Sequence, residues 1–325
     1  MLPPMTEHKP SMQVIALMDG RPGHEKQTRG ILGELAALVT LDVIEIAIGR
    51  KSLPGMVLDL AGLVAGRPPQ MPLARYRGAD LLLGTGSQTH VPMLRLKKAL
   101  GIPAVTCMLP AAYLRPLFDL CLVPLHDGVP AGGNIFTTIG PANCSKPRGA
   151  KDQRAGLVLL GGIDHKSHSW HSQELGEYIR TIAQADMTVH WTLSSSPRTP
   201  DDMLEIMEKI AGELENVEFF RFEDTPPGWV EEQYARCHVV WVTADSMSMV
   251  YEALSAGCRV GLLPVAWKRS GNKFQQSADY LRSRGLILSY SSWLSDREGQ
   301  WRNNQPLNEA GRCAAEIIKR WPPKD

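Results

Sequence analysis

HVVWVTADSMSMVYEALSAGCRVGLLP, residues 238–264, is the stretch that decides the fold. Residues 239–243 are β-branched and aromatic with no charge, which predicts a strand covered on both faces. A polar turn, Ala244-Asp245-Ser246, follows, and either Asp245 or Ser246 is expected to cap the helix after it. Val250, Ala253, Leu254 and Gly257 fall at i, i+3, i+4 and i+7 and define one packing face. Ser248, Glu252 and Ser255 are then expected on the opposite, polar face. Gly257 ends the helix, where a left-handed residue is cheapest. Residues 260–263 predict a second strand. A helix N-terminus is thereby placed at the carboxyl end of a parallel strand, where phosphates are commonly held. Glu252, nearly two turns further on, would reach a ribose beside that phosphate.

Working outward, strand and helix patterns alternate along the whole chain, the signature of doubly wound α/β architecture. Strands are predicted at 13–18, 42–48, 80–84, 103–108, 119–123 and 135–139, with helices at 25–39 and 91–100. Residues 53–65 predict an apolar helix or hairpin. A polar, Gly- and Pro-containing segment then interrupts the pattern. The pattern restarts with a strand at 156–160 and runs to a terminal helix at 307–320. The predicted organisation is a disordered N-terminus (1–12), a first α/β domain (13–141), a linker (142–154), a second α/β domain (155–305), and a C-terminal helix (306–325).

Composition narrows the function. With 325 residues and 43% hydrophobic content, the chain can build two cores. A net charge of +1 argues against an electrostatic nucleic-acid binder. The six cysteines are scattered without C-x-x-C spacing, which suits small hydrophobes in a reducing, cytoplasmic compartment. The first dozen residues resemble neither a signal nor a transit peptide. No apolar run reaches membrane-spanning length, so membrane contact is expected to be peripheral at most.

Three further loops and one basic segment carry candidate chemistry. Asp19-Gly20-Arg21-Pro22-Gly23-His24 forms the first βα turn, with two glycines that let backbone N–H groups approach a ligand. Gly84-Thr85-Gly86-Ser87-Gln88-Thr89-His90 follows a strand and precedes a helix, which Ser87 or Thr89 would cap in the plainer of its two readings. Gly161-Gly162-Ile163-Asp164-His165-Lys166-Ser167-His168 follows the first strand of the second half. The basic segment Lys268–Lys273 lies one βα unit after Glu252 and leads to Gln275 and Gln276. The pair His165 and His168 lacks a third ligand nearby, so no metal is expected. There is no Asp-x-Asp, P-loop, H-E-x-x-H or G-x-S-x-G.

The small-residue turn followed by E-A-L-x-A-G-x-x-x-x-x-L-P resembles the donor-site helix of two-domain (GT-B) glycosyltransferases, the lipid-linked N-acetylglucosaminyltransferase of peptidoglycan synthesis above all. TADSMSM and DGRPGHEKQTRG also resemble the mitochondrial-fission "elongated mitochondria" family and its bacterial relatives. The resemblance implies two Rossmann-like domains facing each other across a cleft, residues 13–141 on the acceptor side and 155–305 binding the nucleotide sugar, with the last helix returning to the first domain. A nucleotide sugar, with UDP-linked ones among the candidates, is then the donor substrate, and there is no cofactor. It implies metal-independent, inverting transfer to a lipid-linked or glycan acceptor. His24 would be the general base, with Asp19 as the other candidate. Gly20, Arg21, Gly23 and Lys26 would hold the acceptor, and Thr85, Ser87 and His90 would be second-sphere residues of the cleft. Gly161, Gly162, Asp164, His165, Lys166, Asp245, Ser246, Met247, Ser248 and Lys268 would line the phosphate site, with Glu252 on the ribose and Gln275 and Gln276 on the sugar. The turn departs from the transferases, which have Ser-Gly where this chain has Asp245-Ser246. A nucleotide-sugar 2-epimerase and a non-catalytic fission adaptor are the rival readings. Residues 53–65, flanked by Arg50, Lys51, Arg67, Arg75 and Arg77, would either touch an anionic membrane or form an ordinary buried helix.

Overall fold

Strands buried on both faces need continuous apolar runs, and β1 (Ser11–Met18) supplies one in VIALM. In the computed structural model, which describes residues 10–49, 51–296, 301 and 305–323, the chain divides into two compact units. Unit 1 comprises residues up to Cys144 together with Asn308–Asp325, and unit 2 comprises Ser145–Leu307.

In unit 1, β1 is followed by α1 (Pro22–Leu38), β2 (Thr40–Ala47), α2 (Leu53–Val64), β3 (Leu81–Thr85), α3 (Ser87–Leu100), β4 (Ala104–Cys107), β5 (Leu120–Pro124) and β6 (Ile135–Thr138). The strands form one parallel sheet in the order β2-β1-β3-β4-β5-β6. Successive side chains of a strand point to opposite faces, and β1 feeds two cores accordingly. Val14 and Ala16 pack with Ile31 and Leu35 of α1, whereas Ile15 and Leu17 pack with Met93 and Leu96 of α3. The chain leaves β1 toward β2 on one side, while β3 pairs on the other. The loops after β1 and β3 therefore flank a topological switch point, the place where open α/β sheets bind ligands.

Unit 2 runs β7 (Asp152–Leu159), β8 (His168–Ser169), α4 (Ser172–Ala185), β9 (His190–Ser194), α5 (Asp201–Glu213), β10 (Val217–Phe220), α6 (Trp229–Arg236), β11 (Cys237–Thr243), α7 (Met247–Ser255), β12 (Arg259–Leu263), β13 (Ala266–Trp267), α8 (Lys273–Ser283), β14 (Ile287–Ser289) and α9 (Tyr290–Ser295). Its main sheet is parallel in the order β10-β9-β7-β11-β12-β14. This is the strand order of dinucleotide-binding folds, with the switch point between β7 and β11. Glycines make room for its aromatic core. A Cβ on Gly156 would sit 2.4 Å from the Trp191 ring, and one on Gly261 would sit 2.4 Å from Trp241. Trp241 in turn meets Tyr290, Trp293 and Trp301 edge-on.

The last helix, α10 (Glu309–Arg320), belongs to unit 1, where Cys313, Ala314 and Ile317 join the core beneath α1. The buried Glu309 carboxylate accepts from Ile139 N–H at 3.0 Å and fixes the helix start beside β6. Gly30 of α1 faces Asn143, whose carbonyl oxygen would lie 2.3 Å from any Cβ at position 30.

Particular expectations change. The first strand begins at Ser11, inside the segment expected to be disordered; residues 1–9 of that segment, like Arg50, lie outside the described residues. Ser255 is 5% exposed rather than on a polar face. That helix is covered nearly all round, and Tyr251 is buried as well as Val250, Ala253 and Leu254. The 53–65 segment is helical but not an ordinary buried helix. Leu60 and Leu63 pack inward, while Val57, Leu58 and Val64 are 65%, 73% and 81% exposed. All six cysteines are free, and burial pushes the Cys107 thiol up to about 12.

Candidate functional sites at the two switch points

In unit 1, the turn after β1 brings Asp19 and His24 together. Asp19 Oδ2 lies 2.7 Å from His24 Nδ1, with the Asp19 side chain wholly buried and the imidazole 16% exposed. Asp19 Oδ1 accepts from Arg21 N–H at 3.1 Å, which closes the turn, and Gly20 occupies its left-handed position at φ +74°. Pro22 opens α1, so His24 sits in the first helical turn, where Pro is preorganised. The loop after β3 completes the arrangement. Thr85 Oγ1 hydrogen-bonds Thr28 Oγ1 at 2.8 Å, and a Cβ on Gly86 would lie 2.2 Å from His24 Nδ1 and 3.0 Å from Asp19 Oδ2. Gly86 also holds φ +94°, so space and backbone conformation both require glycine there. A carboxylate on Nδ1 fixes that nitrogen as the proton carrier and leaves Nε2 as the basic atom.

Other unit 1 residues divide. Gly20, Arg21 and Gly23 are exposed on the turn, and Lys26 is half-buried on α1. Ser87 is exposed, and neither Ser87 nor Thr89 caps α3: Gly86 is the N-cap, and Thr89 donates to its carbonyl at 2.8 Å. His90 is only 4% exposed and stands edge-on to Phe118, its Nε2 without a hydrogen-bond partner among the described residues. Burial, with His24 nearby, lowers its pKa to about 4, so His90 is a neutral ring in the wall rather than a cation.

In unit 2, the loops after β7 and β11 meet. Thr243 accepts Gly161 N–H at 2.7 Å, and Asp245 Oδ2 accepts Gly162 N–H at 3.1 Å. Neither Asp245 nor Ser246 caps α7: Ser246 is the N-cap residue, but it makes no side-chain cap hydrogen bond. Asp245 turns instead toward Arg198, whose Nη2 reaches Oδ2 at 2.9 Å. Arg198 was not among the residues expected at this site. Its signal was faint: a polar SSSPRTP run at the carboxyl end of β9, the strand beside β7. Ser196 and Thr199 hold this loop by donating to Gly161 O at 2.6 Å each.

Asp164 organises the loop after β7, its carboxylate held below the usual range by Lys166 N–H and then Ser167. His168 is buried, with Nε2 3.0 Å from Gly162 O and Nδ1 2.8 Å from Ser167 Oγ. Both ring nitrogens are committed, so His168 props the loop. His165 and Lys166 are exposed, and Lys268 is tied to His165 O at 2.7 Å. Met247 is buried, Ser248 exposed and Glu252 half-buried. Asn272 caps α8, while Gln275 and Gln276 bond within the same loop, to Asn272 and Gly271. No cluster of three or more His, Cys, Asp or Glu suited to a metal occurs among the described residues.

The architecture is shared with known enzymes. A provisionally named UDP-N-acetylglucosamine 2-epimerase of Listeria monocytogenes superposes with a TM-score of 0.62 at 13% identity, covering 97% of this chain and 98% of that one. The UDP-GlcNAc 2-epimerase of Neisseria meningitidis, solved with UDP-GlcNAc, gives 0.52 at 13%, covering 95% and 99%. A glycosyltransferase of Rickettsia africae gives 0.50 at 12%, covering 95% and 98%. At such identities the likeness shows the fold alone, which is that of GT-B glycosyltransferases and nucleotide-sugar 2-epimerases. No curated protein matches the chain in sequence. Residues 22–321 match the family described as Mitochondrial fission ELM1, and the chain belongs to that family.

Proposed function

We propose that the protein is a metal-independent, inverting glycosyltransferase that uses a nucleotide sugar, with unit 2 holding the nucleotide and unit 1 supplying the base. The observation that carries this reading is the buried Asp19 carboxylate on His24 Nδ1 at the unit 1 switch point. In this scheme Nε2 takes the proton of an acceptor hydroxyl as its oxygen attacks the anomeric carbon. The bond from that carbon to the diphosphate oxygen breaks, and its electron pair leaves with the nucleoside diphosphate. Positive charge around the unit 2 glycine loop would stabilise that leaving group, with Glu252 on the ribose. The solved UDP-GlcNAc complex of the Neisseria epimerase favours a UDP-linked sugar as the first donor to test.

A lipid-linked acceptor and peripheral membrane contact, from a cytoplasmic location, complete the proposal. Residues 51–117 carry a net charge of +6 while the rest of the chain carries −5. Within this basic stretch α2 presents Val57, Leu58 and Val64 to solvent, and Tyr113 is 66% exposed. Apolar side chains among basic ones suit an anionic lipid surface.

The fold likeness to epimerases favours one second reading, interconversion of the sugar nucleotide without an acceptor. The test incubates the protein with a panel of nucleotide sugars, with and without membrane-lipid extract. Nucleoside diphosphate released only with extract, and lost in His24→Ala, supports transfer. Interconversion seen by NMR without acceptor supports the epimerase. Inertness, with full cellular complementation by His24→Ala, refutes both and leaves an adaptor.

A further inference from the structure

Three donors in unit 2 converge on one oxygen. Gly162 N–H at 3.1 Å, Arg198 Nη2 at 2.9 Å and Ser246 Oγ at 3.4 Å all reach Asp245 Oδ2. A glycine-loop amide, a guanidinium and a hydroxyl beside a helix N-terminus are the groups that hold a phosphate oxygen. Here they already hold an anion, and that anion belongs to the protein. The carboxylate lies against Gly161, where a Cβ would come within 2.1 Å of Oδ2 and 2.4 Å of Oδ1. Its side chain is 2% exposed, and Oδ1 has no hydrogen-bond partner among the described residues. A carboxylate buried with one oxygen unpartnered is held at a cost that capping of α7 does not explain, since that helix has no side-chain cap. Arg198 differs: its side chain is 46% exposed, and Nη1 and Nη2 are spent inward on Gly162 O, Asp245 and Ser246.

We infer that Asp245 is the specificity-determining residue of this cradle, an internal stand-in for a phosphate oxygen, and that Arg198 is the residue that changes partner when a ligand arrives. The inference rests on the nucleotide-binding reading above and deepens it. An entering group must bring more negative charge than the single carboxylate it displaces. A nucleoside diphosphate does so; a sugar carboxylate or a neutral sugar does not. The half-exposed guanidinium can turn to the ligand while the backbone of both loops stays in place.

Titration calorimetry with UDP, GDP and inorganic pyrophosphate tests this on wild type, Asp245→Asn, Arg198→Met and the double variant. Asparagine keeps an oxygen for Gly162 N–H, and removing both charges in the double variant avoids a lone buried carboxylate, so folding is checked by circular dichroism in every case. The expected result is at least tenfold tighter diphosphate binding in Asp245→Asn and at least tenfold weaker binding in Arg198→Met, with the gain abolished in the double variant. Binding by Asp245→Asn only, with none detectable in wild type, also supports the inference. Binding by wild type that is unchanged or weakened in Asp245→Asn overturns it while leaving the nucleotide reading standing. A gain that survives in the double variant overturns the role of Arg198. No binding by any of the proteins overturns both the inference and the reading beneath it.

Discussion

His90 gives the sharpest test of how unit 1 treats charge beside His24. The imidazole is 4% exposed, packs on Phe118 with ring centroids 5.5 Å apart, and has its pKa lowered from 6.5 to about 4, first by burial and then by His24. In the unfolded chain the same ring titrates normally. Between those two values the unfolded state binds the extra proton and the native state does not, so stability falls as the solution is acidified. The contribution is fully present above pH 6.5 and is lost as pH falls toward 4. At 1.36 kcal/mol per pKa unit, this amounts to roughly 3 kcal/mol, a large share of a typical domain's stability. His90→Phe keeps a flat ring against Phe118 but has no proton to bind. Urea unfolding at a series of pH values from 7.5 to 4.5 should then show a shallower acid loss in the variant, by about one proton per molecule. Equal acid dependence in the two proteins would refute the assignment of a neutral, buried His90.

Glu252→Ala should leave circular dichroism and thermal unfolding nearly unchanged, because the residue is half-buried, but it should weaken binding of the preferred nucleoside diphosphate by about 1.5–3 kcal/mol. Unchanged affinity in calorimetry would remove it from the site. Any sugar-transfer activity should survive excess EDTA; abolition with rescue by manganese or magnesium would contradict metal independence. Unit 1's exposed α2 predicts sedimentation with anionic liposomes at low salt, reduced in a Val57→Asp/Leu58→Asp variant. Failure of the wild type to sediment would rule out the membrane contact.

Much of the fold was legible because its signals are local. Period-two and period-3.6 apolar patterns, glycine at helix ends and polar turns after strands act over a few residues, and they placed β11, α7 and β12 to within two residues. His24 was singled out differently, by the resemblance of the DGRPGH turn to the transferase loop rather than by periodicity. What sequence could not supply was which loops become neighbours, because strand order follows from how whole sheets bury their faces. Asp19 and His24 are only five residues apart, yet their approach depends on Gly86, delivered by β3, which pairs beside β1. Asp245 was one of two residues, with Ser246, expected to cap α7. The carboxylate instead turned to Arg198, which comes from the end of β9, a strand one position beyond β7 in the sheet. The exposed side of α2 was equally hidden, since an apolar helix shows its burial only once the surrounding elements leave one face uncovered. Local propensity determined the elements and the turns that carry polar groups; only the pairing of distant strands decided which of those groups meet and what each one touches.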